Sequence, residues 1–544
     1  MSKIILICGD VPRDMAGEET MDYARLHIDG YQASAEFLWH YFTNGRETKH
    51  AVELMQKGKV HTQILPNGIY LQQYLTNRGF PEVELIQVFA LEKKRIQSLL
   101  EQPHLAVVIS TSFLTTSTHI DEIAGWVKRI SPETLIIAGG LRIWKSYLIM
   151  QEYEEGQYDE DIRDALIQDT YFIDKSTESP VDIFIVNDRG EFTLVNLLKR
   201  IRSGASFQEM NNLAFFHNGS YKINEISQEP GAFMEEAIDW RKVPIHKKDP
   251  EYPVIGGCGC QMRCAFCDFI KLRKLQSRSV SSLMDELRTI PPDKEGVRKV
   301  FFSNDNLLIN MKRTREICEA IIGSGLKILW RAFTRVDVID KETAGLMYAS
   351  GCRECFLGIE SGDRVVLENM KKRTTPDTIL RAVNALNNEG IHTLSTFIIG
   401  FPGETTQTIQ NTIDLINAFD TTGPGIHSYM LFLFALLPLS IISTREEREK
   451  YNLKGYMYEW SHKTMNSDEA LHQMVRLAES VKPEVSPIYW ETPAIPGLTL
   501  EEQKDFLITR NKLMLQQRGI DPGESPEELW NKLESVISRA SFEL

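Results

Sequence analysis

Four cysteines lie within ten residues of this 544-residue chain, and three of them have a spacing that suits an iron–sulfur cluster. Cys260, Cys264 and Cys267 form a C-x3-C-x2-C pattern, and Cys258 stands two residues before it. Three thiolates on one short loop can hold three corners of a [4Fe-4S] cube and leave the fourth iron without a protein ligand. The spacing therefore predicts a cluster with one iron open to chemistry.

Closed metal sites and disulfides are the alternatives for these cysteines. Cys258 could complete a quartet that closes a zinc or ferredoxin-like site. Disulfides are disfavoured, because eight cysteines in 544 residues are far fewer than a secreted disulfide scaffold carries. The remaining cysteines stand in apolar stretches and are expected to be small buried side chains: Cys8, Cys318, Cys352 and Cys355.

The composition predicts a large, soluble, cytoplasmic protein of about three domains, since 42% hydrophobic and 25% charged residues are ordinary globular values. The net charge of −14, without a basic patch interleaved with aromatics, argues against a nucleic-acid partner. The first residues predict a strand and not a signal peptide. The longest apolar run, 430–442, contains Pro438 and is shorter than the roughly 20 residues of a membrane helix, so no span is expected.

The N-terminal part alternates apolar strands with helices. The strands are predicted at 3–9, 83–89, 106–110, 135–140 and 181–187. Unbroken Val, Ile and Leu runs are typical of a parallel sheet covered on both faces, so residues 1–200 are predicted to form a doubly wound, Rossmann-like α/β domain. Ligands of such sheets lie beyond the carboxyl ends of the strands, where this chain has small residues: Ser110, Thr111, Ser112, Gly139 and Gly140. These residues would let a flat, bulky ligand approach the backbone, although the glycine pair could equally form a tight turn.

After a connector at 201–250, in which 213–218 and 220–223 predict a small hairpin, the α/β alternation resumes. Strands are predicted at 299–303, 328–333, 354–358, 393–399 and 428–436, and a helix at 406–419. Repeated βα units predict a complete or partial (β/α) barrel over 251–445, with its site at the carboxyl ends of the strands. Charged helices then predict a helical C-terminal domain at 446–544.

Polar residues follow the predicted barrel strands where a site at the mouth requires them. These are Asn304, Asp305, Arg335, Glu360 and Ser361. Singly, each has a structural explanation: a turn and helix cap for the first two, and a surface ion pair with Asp337 for Arg335. In the C-terminal part, His462 and Trp460 could reach the pocket or simply pack against each other.

Three motifs together resemble the radical SAM superfamily, in its branch with an N-terminal B12-binding domain and class B methyltransferase-like members. They are the cysteine triplet with Phe266 before its last cysteine, the G-I-E-S-G stretch at 358–362, and the G-F-P-G-E turn at 400–404. The resemblance covers about residues 60 to 440, including L-P-N-G at 65–68 and D-R-G-E at 188–191, where the branch has G-E-G-E.

The resemblance implies three cofactors: a [4Fe-4S] cluster on Cys260, Cys264 and Cys267, S-adenosylmethionine and cobalamin. S-adenosylmethionine would chelate the open iron and be cleaved to a 5′-deoxyadenosyl radical, with electrons from a flavodoxin or ferredoxin. Its implied contacts are Glu360 at the ribose and, around the rest of the molecule, Phe266, Asn304, Asp305, Arg335 and Ser361. Cobalamin would lie against Ser110, Thr111, Ser112, Gly139 and Gly140, without the D-x-H-x-x-G motif that supplies a histidine to cobalt.

The activity that this resemblance implies is C-methylation of an unactivated carbon in a small-molecule or natural-product, peptide or lipid substrate. Rearrangement, cyclisation or C–C bond formation without methyl transfer is an alternative on the same scaffold. A non-catalytic cobalamin or cluster sensor is an alternative of another class. The tRNA methylthiotransferases are disfavoured, because they carry further N-terminal cysteines and a basic C-terminal domain, whereas this chain has only Cys8 and an acidic tail.

Overall fold

The computed structural model describes residues 3–10, 25–59, 64–114, 116–158, 162–174, 176–231, 234, 236–245, 250–303, 307–488 and 495–542. Within these residues the fold is α/β and contains two seven-stranded sheets with helices packed against them. The predicted fold class, a doubly wound domain followed by a partial (β/α) barrel and further helices, is confirmed. No helix in the described ranges is both long and apolar enough for a membrane crossing.

The first sheet and its helices occupy the N-terminal 223 residues. The elements in chain order are β1 (Lys3–Ile7), β2 (His27–Ile28), β3 (Tyr31–Gln32), α1 (Ala35–Thr43), α2 (Thr48–Lys59), α3 (Pro66–Asn77), β4 (Val83–Ile86), α4 (Phe89–Leu100), β5 (His104–Ser110), α5 (Ser117–Ile130), β6 (Ile136–Gly139), α6 (Leu141–Glu154), α7 (Arg163–Asp169), β7 (Ile183–Ile185), α8 (Glu191–Ser203), β8 (Leu213–His217) and β9 (Ser220–Ile223). The sheet order is β4-β1-β5-β6-β7-β8-β9, with parallel pairing from β4 to β7. The hairpin β8–β9 was expected in the connector, and it extends this sheet by antiparallel pairing with β7.

The unbroken apolar runs of this sheet follow from burial on both faces. Along β1, Ile4 and Leu6 enter one hydrophobic cluster, whereas Ile5 and Ile7 enter another on the opposite face. The predicted strand 83–89 is too long, because β4 ends at Ile86 and α4 begins at Phe89. The Glu92 carboxylate accepts hydrogen bonds from the backbone N–H groups of Gln87 and Val88, which starts a helix where apolar composition alone suggested a strand.

The second sheet carries the parallel strands of the partial barrel. Its part of the chain comprises β10 (Tyr252–Val254), β11 (Gly257–Cys258), α9 (Phe269–Leu272), β12 (Gln276–Ser277), α10 (Val280–Thr289), β13 (Arg298–Phe302), α11 (Met311–Ser324), β14 (Ile328–Thr334), α12 (Lys341–Ala349), β15 (Cys352–Glu360), α13 (Arg364–Asn369), α14 (Pro376–Glu389), β16 (His392–Ile399), α15 (Thr406–Asn417) and β17 (His427–Leu433). The strand order is β10-β13-β14-β15-β16-β17, and each neighbouring pair is parallel. The carboxyl ends of these strands therefore share one edge, as a (β/α) barrel mouth requires.

The C-terminal part contacts both preceding units. Its elements are α16 (Arg445–Tyr451), β18 (Lys454–Tyr456), β19 (Glu459–Ser461), α17 (Ser467–Ser480), β20 (Ser486–Pro487), α18 (Leu500–Gln517) and α19 (Pro526–Ile537). Strand β20 pairs with β17 and adds a seventh strand to the second sheet. Helix α19 returns to α1, where Arg46 Nη2 lies 2.6 Å from Glu534 Oε2 and the rings of Phe42 and Trp530 are 6.3 Å apart.

Candidate cluster site and interdomain cavity

The loop that carries the cysteine triplet joins β11 to α9 at the barrel mouth. The backbone N–H of Ala265 donates to Met370 O at 2.8 Å, and the carbonyl of Ala265 accepts from the N–H of Ile442 at 2.8 Å. These two bonds hold the centre of the loop between the segment after β15 and the segment after β17. Cys260, Cys264 and Cys267 are all half-buried on this loop.

Cys258 lies on a short antiparallel ribbon that precedes the triplet in the chain. It pairs with Gln276 of β12, and its Sγ is 3.8 Å from Lys274 O. Gly259 has φ +71°, and a Cβ there would lie 2.7 Å from Lys274 O, so the turn between Cys258 and Cys260 depends on glycine. The ribbon therefore directs the chain into the cluster loop at Cys260.

The two buried thiols of the triplet have raised pKa values. Burial raises the pKa of Cys267 to about 12. Burial also raises the pKa of Cys264, although the positive charges of Lys372 and Arg335 oppose that rise. Iron binds thiolates, so loading these residues with metal releases protons.

Glu360 lies beside the cysteine loop in a strained backbone conformation. It ends β15 with φ +74°, which a non-glycine residue rarely adopts and which costs about 1–3 kcal/mol. Its Oε1 lies 2.9 Å from Lys372 Nζ, and the side chains are only 9% and 13% exposed. The Lys372 ammonium also lies 5.7 Å from the centre of the Phe266 ring. Burial alone would lower the pKa of Lys372, but Glu360 and Cys264 raise it above its ordinary value.

The other residues expected at the mouth have different positions. Arg335 forms a two-pronged ion pair with Asp337, with Nε–Oδ1 and Nη2–Oδ2 distances of 2.7 and 2.5 Å, as its simpler explanation predicts. Ser361 is fully buried, and its Oγ accepts the Asp363 N–H at 3.1 Å. Asn304 and Asp305 lie outside the described residues.

An interdomain cavity that is partly open to solvent lies at the carboxyl edge of the first sheet. Its wall contains residues from β5, β6 and the start of α8 on one side and from the β11–β12 ribbon on the other. Four of the five residues predicted to face a corrin line it: Ser110, Ser112, Gly139 and Gly140. Thr111 is buried, and its hydroxyl donates to Gly139 O at 3.1 Å.

Two features of the cavity wall concern its ligand: a glycine at which a side chain would meet neighbouring atoms, and a buried side-chain oxygen. Gly140 has φ +118°, and a Cβ there would lie 3.1 Å from Thr111 Oγ1, so this wall has room for backbone only. Asn67 also lines the cavity; its Nδ2 donates to Ser110 Oγ at 3.0 Å, while its buried Oδ1 has no hydrogen-bond partner among the residues that the structure describes. A buried acceptor without a donor is costly, so this atom suits an amide-bearing ligand.

Glu191, a carboxyl group in the cavity wall, has a strongly shifted pKa. Burial raises the pKa of the Glu191 carboxyl to about 7; nearby Glu229 adds to the rise, while Arg189 and Arg273 oppose it. The side chain is half-buried and lines the cavity. The cavity therefore holds a carboxyl group that can be protonated near neutral pH.

Lys372 was not predicted from the sequence, and two other residues near the site, Trp460 and His462, have a structural role. Lys372 stands in the charged run Lys371-Lys372-Arg373 and was not among the residues expected at the site. Trp460 and His462 do not need a pocket: their rings stack 5.1 Å apart, and His462 Nε2 lies 3.0 Å from Gly400 O. Packing is thus the better explanation for both.

Comparison with known proteins identifies the barrel part. The family model of the radical SAM superfamily matches residues 254–416, so the chain carries a radical SAM domain. An uncharacterized methyltransferase of Pyrococcus horikoshii is 29% identical over 255 residues, covering 45% of this chain and 54% of that protein. The anaerobic magnesium-protoporphyrin IX monomethyl ester cyclase of Cereibacter sphaeroides is 25% identical over 364 residues, covering 63% and 54%. The chain thus spans about half the length of the curated relatives it matches.

A solved structure has a similar fold over most of the chain. The radical S-adenosylmethionine methyltransferase TsrM from Kitasatospora setae, solved with cobalamin and a [4Fe-4S] cluster bound, matches with a TM-score of 0.53 and 15% identity. The match covers 81% of this chain and 77% of TsrM. At this identity the similarity establishes the fold alone.

Proposed function

We propose that this chain, whose residues 254–416 form a radical SAM domain, is a cobalamin-dependent radical SAM enzyme that methylates an unactivated carbon of a small-molecule or natural-product, peptide or lipid substrate. The observation that carries the proposal is that the interdomain cavity and the cluster loop share one ribbon. Cys258 and Gln276 line the cavity, and the cluster loop begins two residues later at Cys260. A cofactor in the cavity and a cluster on the loop would thus be neighbours.

Cys260, Cys264 and Cys267 would hold the cluster, and Glu360 with Phe266 would contact S-adenosylmethionine. When bound, the cluster supplies one electron for cleavage of S-adenosylmethionine, and cobalamin supplies a carrier for a methyl group. Lys372 keeps the Glu360 carboxylate in place, since it lies 2.9 Å from that side chain. Because the three cysteines are half-buried, the loop would limit the access of water to a bound cluster. Asn304, Asp305, Arg335 and Ser361 remain predicted contacts.

The cavity wall fits a corrin on two counts. A Cβ at Gly139 or Gly140 would lie 3.1 Å from Ile185 Cβ or Thr111 Oγ1, so bare backbone is favoured at this wall, and Asn67 Oδ1 would accept from a donor of the kind that corrin amides provide. Ser110, Ser112, Gly139 and Gly140 would line the corrin site, with Thr111 supporting the turn through its bond to Gly139 O. Glu191, protonated near neutral pH, could add a second donor.

The cluster half of the proposal is tested by anaerobic reconstitution with iron and sulfide, followed by an assay for 5′-deoxyadenosine after addition of S-adenosylmethionine and dithionite. We expect product from the wild type and from Cys258→Ala, and neither cluster nor product from Cys264→Ala. A cluster that forms without yielding 5′-deoxyadenosine would refute the radical function. Loss of the cluster in Cys258→Ala would instead favour the closed quartet.

The cobalamin half is tested by the visible absorbance of protein purified after expression with cobalamin. Gly140→Val should lose the corrin spectrum, because its side chain would enter the cavity wall 3.1 Å from Thr111 Oγ1. Gly323→Ala is the matched control, since a Cβ there meets no atom within 4 Å. A wild-type protein without corrin absorbance would remove the methyl-transfer proposal and leave the radical function.

The similarity to the cyclase of Cereibacter sphaeroides favours one second candidate, a radical cyclisation or rearrangement without methyl transfer. S-adenosylmethionine with a deuterated methyl group distinguishes the two. Methylation places the label in the product, whereas cyclisation leaves the product unlabelled. Either reaction needs an electron donor, for which we propose a flavodoxin or a ferredoxin.

A further inference from the structure

Helix α6 connects the cavity to the cluster loop. It begins directly after Gly140 in the cavity wall and runs to Glu154. Its partner is α9, the short helix that follows the cysteine triplet. Trp144 Nε1 donates to Leu272 O at 3.0 Å, and Ile149 shares a buried apolar cluster with Leu272. The N-terminal domain therefore contacts the segment that carries the third cluster cysteine.

The most buried polar contact across this interface joins Lys145 of α6 to Asp268. The Nζ–Oδ2 distance is 2.7 Å, and the side chains are 16% and 7% exposed. Asp268 follows Cys267 directly and is the N-cap residue of α9. A second cross-domain pair, Lys271 with Glu152, lies on the same two elements but is more exposed, at 35% and 20%.

A buried carboxylate next to a cluster ligand opposes the addition of an electron to the cluster. The reduction potential of an iron–sulfur cluster depends on nearby net charge and on solvent exposure. Charges in a partly buried site are weakly screened by solvent and salt. The ammonium of Lys145 therefore offsets the charge of Asp268 next to Cys267. The neutralising charge comes from the N-terminal domain, 123 residues away in the chain.

We propose that Lys145 is a positioning residue of the cluster site: it pairs with Asp268 beside Cys267, and its positive charge offsets that carboxylate and so raises the reduction potential of the cluster. This inference rests on the proposed function, because it requires a cluster on Cys260, Cys264 and Cys267. It makes the N-terminal domain a part of the redox site as well as a wall of the cavity.

The test is an anaerobic redox titration of the reconstituted full-length protein, in which the one-electron reduced cluster is followed by electron paramagnetic resonance. Lys145→Met should shift the midpoint potential to a more negative value, and Asp268→Asn should shift it to a more positive value. The double variant should return close to the wild type, because the pair and its replacement both carry no net charge. Lys145→Arg should keep the wild-type potential.

Lys271→Met is the matched control, since it removes a lysine from the same interface but from the more exposed pair. We expect a smaller shift of the midpoint potential than for Lys145→Met.

An unchanged midpoint potential in Lys145→Met with full iron content would overturn the inference, as would a double variant that retains the Lys145→Met shift. If Lys145→Met does not fold, Asp268→Asn must still shift the potential upward, and a null result there also overturns it. A wild-type protein that takes up no cluster refutes the proposed function and this inference together, so the two failures are distinguishable.

Discussion

The Lys372–Glu360 pair is expected to be the most consequential ion pair at the barrel mouth. At 2.9 Å, two unit charges in an effective dielectric of about 20 attract each other by roughly 6 kcal/mol before desolvation. Desolvation offsets much of that attraction, but removing one partner leaves the other charge buried. Such single removals cost about 3–5 kcal/mol. We therefore expect Lys372→Met to lower the free energy of unfolding by about 3 kcal/mol.

The assay is urea unfolding of cluster-free protein under anaerobic conditions, followed by the fluorescence of buried tryptophans such as Trp330. Glu360→Gln should cost a similar amount, because it leaves the Lys372 ammonium beside Arg335. In the double variant Lys372→Met/Glu360→Gln no charge remains unpaired. Its cost should be smaller than the sum of the single costs by about 2 kcal/mol or more, which is the coupling within the pair.

The adjacent Lys371→Met is the control. This lysine is 46% exposed and lies 3.3 Å from Glu447, so its removal should cost less than about 1 kcal/mol. Strictly additive costs in the double variant, or equal costs for Lys371→Met and Lys372→Met, would contradict the view that Lys372 holds the Glu360 carboxylate in place.

Two further outcomes follow from glycine geometry and from a buried acid. Gly259→Ala should reduce iron uptake several-fold relative to Gly323→Ala in reconstitution, since its Cβ would lie 2.7 Å from Lys274 O; equal iron content would contradict this. Burial raises the pKa of Glu404 from 4.5 to about 8, so the folded state keeps a proton that the unfolded state releases, and stability falls as the pH rises between these values. The control is Glu404→Gln, which keeps an acceptor for the Gly400 N–H. Relative to this variant, the free energy of unfolding of the wild type should fall by about 3 kcal/mol between about pH 6 and about pH 9 in denaturation experiments. Parallel pH profiles of the two proteins would contradict the raised pKa.

The pattern of apolar residues was sufficient to predict most strands of the two large sheets. The predicted strand 106–110 lies within β5, 393–399 within β16, and the predicted helix 406–419 contains α15, Thr406–Asn417. These elements are buried on both faces or on one regular stripe, and burial of that kind leaves a clear pattern in the sequence. The pattern fails where a side chain decides the boundary, as Glu92 does in turning 87–89 into the start of α4.

The candidate site likewise contains residues that are close in the chain and residues that are distant in it. The three cysteines Cys260, Cys264 and Cys267 stand on one short loop, so their spacing is visible without a structure. Nothing requires the residues that tune those ligands to be close in the chain. Lys145 approaches Asp268 across 123 residues, and its sequence context resembles that of any lysine on an amphipathic helix.

The partners of individual polar side chains were not equally visible in the sequence. His462 and Arg335 find partners in a backbone carbonyl and in Asp337, two residues away, and such local or main-chain partners are available to almost any polar side chain. Lys372 had an equally ordinary context, yet it lies buried against Glu360, whose left-handed backbone points the carboxylate toward it. Backbone strain of this kind persists only where the surrounding structure enforces it. The strained residue of the G-I-E-S-G stretch and its buried partner are therefore stronger indications of function at this mouth than the number of polar residues around it.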